Sequence, residues 1–408
     1  MKKHLTFFIR LLIAVAGLAY IGWIIDWTDH VELASGVYKS SSAAFVELAS
    51  KTTGKVIRGR VNPKGEQTET LAIELNLPRQ GQSQIVELSQ NDFSGQNKEK
   101  IKVRPGIITT LREADIARLL LGLLVIAPIY PITALRWWML LRARGLDVSP
   151  WQAFRLSMVG CFFNYCMPGS TGGDVIKAYY TAKNSSRRAD SVMTVIIDRI
   201  VGLLGLFVLA GIAGLFIEHD SAVQKITRFV WIIASGVVLV SALYFSRRLR
   251  QASGLEWLLT KILPEGSLIG KIDAAAVAYS YHKMTVLGSI LASLPVHLLL
   301  AISTSLAGWA LGMTTPFPTL LAVIPIVFLV MAIPISPQGV GTTEFIAIRL
   351  LHHAPYATAN QVIVMFVLAR LYQLIYSLAG AVFLLKGDIH LHPDRQEKSV
   401  EEVANPSP

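Results

Sequence analysis

Five ionisable residues stand within or at the edge of long apolar runs: Asp174, Asp198, Arg199, Glu344 and Arg370. A charge at the centre of a bilayer costs about 2.5–3.5 kcal/mol even on the lenient insertion scale, so such residues pair or face water. Two kinds of chemistry fit them. The first is structural, with Asp174–Arg199 and Glu344–Arg370 as ion pairs that tie helices together. The second is recognition of an anionic headgroup, because a guanidinium binds phosphate in a bidentate fashion. The two are compatible.

Glycine-rich breaks accompany these charges. The first reads Pro168-Gly169-Ser170-Thr171-Gly172-Gly173-Asp174, and the second Pro337-Gln338-Gly339-Val340-Gly341-Thr342-Thr343-Glu344. Gly169, Gly172 and Gly173 permit positive φ and close backbone approach. Gly172-Gly173-Asp174 opening a helix is expected to expose N–H groups that suit an anion. Asn164 and Tyr165, just before the first break, either add hydrogen bonds to a ligand or cap the turn locally.

The elements that must position these groups belong to a membrane protein. Of 408 residues, 52% are hydrophobic and only 16% charged, against roughly 25% charged in soluble domains. Several apolar runs reach the ~20 residues that a helix needs to cross a bilayer core. The net charge of +11 fits a cytoplasmic Lys/Arg excess and anionic headgroups, so no nucleic-acid partner is expected. Cys161 and Cys166 both lie in apolar sequence, so no disulfide framework is implied.

Four regions follow. Residues 1–26, with Lys2 and Lys3 ahead of an apolar run, read as an uncleaved anchor with its N-terminus inside. Residues 27–115 are polar, with alternating runs at 55–61, 70–77 and 84–88 and a turn signal at Asn62-Pro63-Lys64-Gly65. This predicts a small β-rich, extra-cytoplasmic domain, a possible site for an envelope partner. Residues 116–386 form an all-α polytopic membrane domain, and 387–408 a disordered cytoplasmic tail.

Basic clusters at Arg136–Arg144, 183–188 and 247–250 set the orientation, with that side cytoplasmic. The segment around the first break then has both ends inside, and the one around the second has both ends outside. Each must dip in and turn back. Each unit runs spanning helix, broken hairpin, carboxylate, then a helix with an arginine, the acid and arginine about 25 residues apart in both. An inverted repeat of this plan places a transport site where the broken helices meet.

The same residues resemble a known family, the flippase-like transmembrane region of lysylphosphatidylglycerol synthases. The likeness rests on Arg136-Trp137, Leu140-Leu141 and Gly145, then on Gly160, Asn164, Met167-Pro168-Gly169 and Gly172-Gly173-Asp174. It continues through Asp198-Arg199, Gly202, Pro334-Ile335-Ser336, Gly339, Gly341, Glu344 and Arg370, and covers residues 116–386. Asp198 stands where that family often has glutamate.

The resemblance implies movement of a phospholipid across the cytoplasmic (inner) membrane, with Arg199, Arg370, Asp174, Glu344, Asp198, Asn164 and the glycines 169, 172, 173, 339 and 341 at the substrate. It does not imply synthesis, since residues 26–115 are too few for an aminoacyl transferase and lie on the wrong side. No cofactor, metal or enzymatic activity is expected, and no His-x-x-Glu-His, Asp-x-Asp or phosphate-loop pattern occurs. Two other readings stay open: a membrane-embedded transferase using a lipid-linked donor, and an envelope scaffold or assembly protein.

Overall fold

The computed structural model describes residues 25–33, 36–39, 45–48, 52–58, 70–76, 83–89, 101–166, 172–183, 187–215, 231–236, 247–254, 279–332, 339–352 and 356–385, with isolated positions between them. The expected anchor up to residue 18, most of the 229–245 run, the two Pro/Gly breaks at 167–171 and 333–338, and the tail lie outside the described residues.

Among the described residues seven strands come first: β1 His30–Leu33, β2 Gly36–Lys39, β3 Phe45–Leu48, β4 Thr52–Arg58, β5 Thr70–Asn76, β6 Ser83–Ser89 and β7 Ile101–Arg104. Five of them form an antiparallel sheet in the order β6-β5-β4-β1-β7, and β2 pairs with β3. In β1, between β4 and the edge strand β7, His30 stands opposite Lys55 on one side and Arg104 on the other. The register shifts between Val56 and Arg58, a bulge that adds local twist.

The helices that follow are α1 Ile107–Arg112, α2 Ile116–Ile126, α3 Ile129–Ala143, α4 Pro150–Cys166, α5 Gly172–Lys183 and α6 Arg188–Gly214. After a short helix α7, Arg247–Ala252, come α8 Lys283–Ala310, α9 Phe317–Ala332, α10 Thr342–Leu351 and α11 Ala359–Leu385. Among the described residues four segments are long and apolar enough to cross a membrane: Ile116–Ala143, Arg188–Gly214, Lys283–Ala310 and Ala359–Leu385. The chain is thus an integral membrane protein built mainly of helices.

The first of these segments comprises α2 and α3, interrupted at Ala127-Pro128 because proline has no N–H to donate. Asp115 caps α2 by accepting the Arg118 N–H at 3.1 Å. Between the long helices sit two pairs of shorter ones, α4/α5 and α9/α10. With 17, 12, 16 and 10 residues, all four fall short of the ~20 needed to span.

Helix α4 packs on α11 and α9 on α6; α5 lies on α6 and α10 on α11; α2 and α3 lie on α8. The largest apolar cluster runs through the middle of this arrangement, around Leu320, Ile324, Val327 and Phe366.

The two ends of the bundle differ chemically. At one end Arg144 pairs with Asp190 at 2.5 Å, Arg187 donates to the Arg144 carbonyl at 2.8 Å, and Arg250 meets Asp273 at 2.7 Å. At the other end the sheet is fastened to α11. The Asn360 side chain accepts from the Asp26 N–H at 3.1 Å and donates to the Asp26 and Pro105 carbonyls at 3.0 and 3.2 Å. Gly106 donates its N–H to Asp29 at 2.8 Å. A side chain at Gly106 would come within 2.6 Å of the Thr28 carbonyl carbon, so the chain crosses itself there through a glycine.

Candidate functional site

Helix α5 is held to α4 by a close approach that only glycine allows. A Cβ on Gly173 would lie 1.9 Å from the Gly160 carbonyl oxygen, and one on Gly160 would lie 2.9 Å from the Lys177 Cγ. Asn164 accepts the Gly173 N–H at 2.8 Å. Asn164 therefore caps the start of α5, and that N–H is not open to an anion, which narrows the expected N-terminal anion site.

This anchoring sets Asp174 and Lys177, one turn apart, towards α6. Asp174 meets Arg199 at 2.5 Å, with both side chains about a third exposed (32% and 31%). Lys177 is buried; its ammonium lies 3.4 Å from Asp198 and 4.1 Å from the centre of the Trp137 ring. Asp198 is held on its other oxygen by the Arg136 Nε at 2.9 Å, and Arg136 also donates to the Ser293 hydroxyl at 2.8 Å. Asp198 is thus the counter-ion of Arg136 and Lys177.

Arg136, grouped in the sequence with the basic cluster 136–144 on the cytoplasmic side, lies instead inside the bundle. It is 6% exposed, and its guanidinium lies flat over Gly202, where a Cβ would sit 3.3 Å away. The same Gly202 offers its carbonyl to His297 Nε2 at 2.9 Å. The other ring nitrogen of His297 is buried without a hydrogen-bond partner among the described residues.

These groups line a half-open cavity of about 400 Å³ walled by α2, α3, α4, α5, α6, α8, α9 and α11. Asn164, Gly173, Asp174, Asp198 and Arg199 line it, as do three charged or titratable side chains that the sequence reading did not place there: Arg136, Lys177 and His297. Three cations face two carboxylates, so the wall carries an excess of positive charge. His297 lies halfway along α8, about 21 Å from Lys283 at the rise of an α-helix. The cavity is therefore at the middle of the span.

The second set of residues stands apart. Glu344 pairs with Arg370, and its other oxygen accepts the Gly341 N–H at 2.8 Å. Arg370 also reaches the Gly339 carbonyl at 3.5 Å. Gly339 and Gly341 have φ of +67° and +83°, which only glycine adopts without strain. Glu344 is 1% exposed and Arg370 15%. None of these four lines the cavity, and neither does Gly172; Gly169 lies outside the described residues. Helix α9 nevertheless supplies Met331 and Ala332 to the wall, and α11 supplies Gln373.

Compared with known families, residues 106–380 match the one described as the lysylphosphatidylglycerol synthase TM region. The chain belongs to that family. The match begins just after the sheet and takes in every charged residue of the cavity. A curated relative, the UPF0104 membrane protein PH1989 of Pyrococcus horikoshii, is 32% identical over 112 residues, which is 27% of this chain and 33% of the relative. The chain thus matches about a third of that relative's length.

Lys177 had a signal in the sequence: it follows Asp174 by three residues, one helical turn on the same face. His297 and Ser293 had none beyond their spacing of four in an apolar run, because what gives them a role is the convergence of α3, α6 and α8.

Proposed function

We propose that this protein moves a lipid with an anionic or zwitterionic headgroup across the cytoplasmic membrane through the cavity between its two halves. The observation that carries this reading is the cationic wall at mid-span. Arg136, Lys177 and Arg199 outnumber the carboxylates beside them in a chamber bounded by apolar helices. Uncompensated charge at that depth is costly. A phosphate-bearing headgroup supplies the missing negative charge.

The reciprocal packing of α4 on α11 and α9 on α6 supports an inverted repeat, with α4/α5 and α9/α10 as hairpins that enter from opposite faces and turn back. The basic end formed by Arg144, Arg187 and Arg250 is assigned to the cytoplasm. The sheet then lies outside, where it meets an envelope partner or lipid. Within this scheme Asp174–Arg199 is the pair that the headgroup contacts. Glu344–Arg370 is its sealed counterpart in the second half.

The test is lipid movement in liposomes that carry the purified protein and trace fluorescent phosphatidylglycerol, an aminoacylated phosphatidylglycerol or a zwitterionic phospholipid, read as quencher-accessible fluorescence with time. Headgroup-dependent movement above that of empty liposomes, reduced at least tenfold by Lys177→Ala or Arg199→Ala, is the expected result. Movement that is blind to headgroup and unchanged in both variants would overturn the reading.

A further inference from the structure

Among the described residues, one stretch of the cavity's perimeter is thinly packed. Around its perimeter α3 packs on α4, α4 on α11, α11 on α8, and α8 on α2. Helix α11 and the broken α2–α3 span barely meet. Their gap is limited at one end by the approach of Gly122 to Tyr372, where a Cβ would lie 3.2 Å from the ring. At the other end α4 and α11 are clamped at Gly380, where a Cβ would lie 2.1 Å from the Met158 carbonyl oxygen. From Tyr372 to Gly380 a helix rises about 12 Å.

Aromatic side chains fill that window. Tyr130 and Tyr376 stack with ring centres 5.0 Å apart. The Tyr376 hydroxyl donates to the Leu123 carbonyl across the gap at 2.9 Å, the Tyr130 hydroxyl to the Gln373 carbonyl at 3.4 Å, and the Tyr165 hydroxyl to the Arg370 carbonyl at 3.4 Å. Tyr130, Tyr165 and Gln373 line the charged cavity from within. On the outer side Leu120, Leu124, Ile375 and Leu378 are exposed, an apolar surface on both borders of the window.

We infer that this window between α2–α3 and α11, closed by Tyr130 and Tyr376, is the lateral portal through which the acyl chains of the lipid stay in the bilayer while its headgroup occupies the cavity. The inference rests on the transport reading. A diacyl lipid whose phosphate reaches Arg199 must leave its tails in hydrocarbon, and a tail cannot cross a wall of interlocked helices. Only one long hydroxyl-to-carbonyl bond, from Tyr130, and one short one, from Tyr376, cross the gap, a small barrier beside interlocked helices. The Ala127-Pro128 interruption lies beside Tyr130, so that part of the wall has a ready hinge.

Two measurements test it. In nanodiscs, the wild-type protein is labelled with phosphatidylglycerol whose acyl chain carries a terminal diazirine, with and without excess sn-glycerol 3-phosphate. The expected result is label on Tyr130, Gln373 or Tyr376 that falls at least fivefold with the soluble headgroup, while label on Leu120 and Leu124 stays. Seam label no greater than that on other helices, or unmoved by glycerol phosphate that does bind, would overturn the portal.

The second measurement uses Tyr130→His/Gln373→His, which places a zinc bridge across the window. Zn²⁺ should lower lipid movement by the double variant at least tenfold from its own zinc-free rate, chelator should restore it, and neither single variant should respond to zinc. Unchanged movement with zinc bound to the double variant would also overturn it. Failure of the wild type to bind glycerol phosphate or to move any lipid counts against the transport reading instead.

Discussion

The two short-helix pairs carry the same order of residues and end in opposite states. In α4/α5 the Asp174–Arg199 pair faces the cavity and is about a third exposed. In α9/α10 the Glu344–Arg370 pair is shut away, with Glu344 1% exposed. The local cause is how each carboxylate is held. Glu344 turns back to its own helix start and takes the Gly341 N–H, while at the start of α5 that service is done by Asn164, which frees Asp174 to face outward. One asparagine therefore separates a wet ion pair from a dry one. Matching motifs fix matching backbones, and the capping partner decides what the charge does.

The comparison is broken most forcefully from the dry side. Glu344→Ala leaves the Arg370 guanidinium buried without its partner, which costs about 3–5 kcal/mol. Thermal unfolding in detergent should show a large loss, and a stability within 1 kcal/mol of the wild type would mean that the second pair is not sealed. Next comes Gly173→Ala, whose methyl meets the Gly160 carbonyl; overpacking of this kind costs about 1–3 kcal/mol. Its unfolding midpoint should drop, and lipid movement with it, since Asp174 and Lys177 shift together.

A sharper contrast comes from Asp174→Asn. An accessible pair contributes only about 0.2–1 kcal/mol, so stability should barely change while lipid movement falls at least tenfold. A large fall in midpoint would make the first pair structural like the second. The smallest effect is expected from His297→Phe, which removes the donor to Gly202 and costs about 1 kcal/mol. A double-mutant cycle with Arg136→Ala reads whether the two side chains that meet at Gly202 are coupled.

Much of this was legible in the sequence because charge in apolar runs is a strong constraint. Asp174 with Arg199 and Glu344 with Arg370 were pairable on spacing alone, and both pairs form. Strands β5 and β6 fall on the alternating runs at 70–77 and 84–88, and β4 overlaps the run at 55–61 over 55–58, whereas β1, β2, β3 and β7 have four residues each, too few for a period of two to stand out. The partner of Asp198 was not legible. Its neighbour in sequence is Arg199, but successive residues on a helix point about 100° apart, so Asp198 turns to α3 and α5 while Arg199 turns to Asp174. Arg136 reads in the sequence as one member of a basic cluster. Its burial depends on Gly202 of α6 leaving room, which only the packed structure reveals.

The fastening at Asn360 has a topological consequence. The Ile107 N–H donates to the Asp26 carbonyl at 2.9 Å, so the chain leaves for the sheet and returns at nearly the same point. The sheet is in this sense an insertion whose two ends already touch. Joining residue 26 to residue 107 through a few glycines closes almost no loop, and the entropy of closure for so short a path is small. Replacing residues 27–106 by such a linker would leave the threading of the membrane helices as it is.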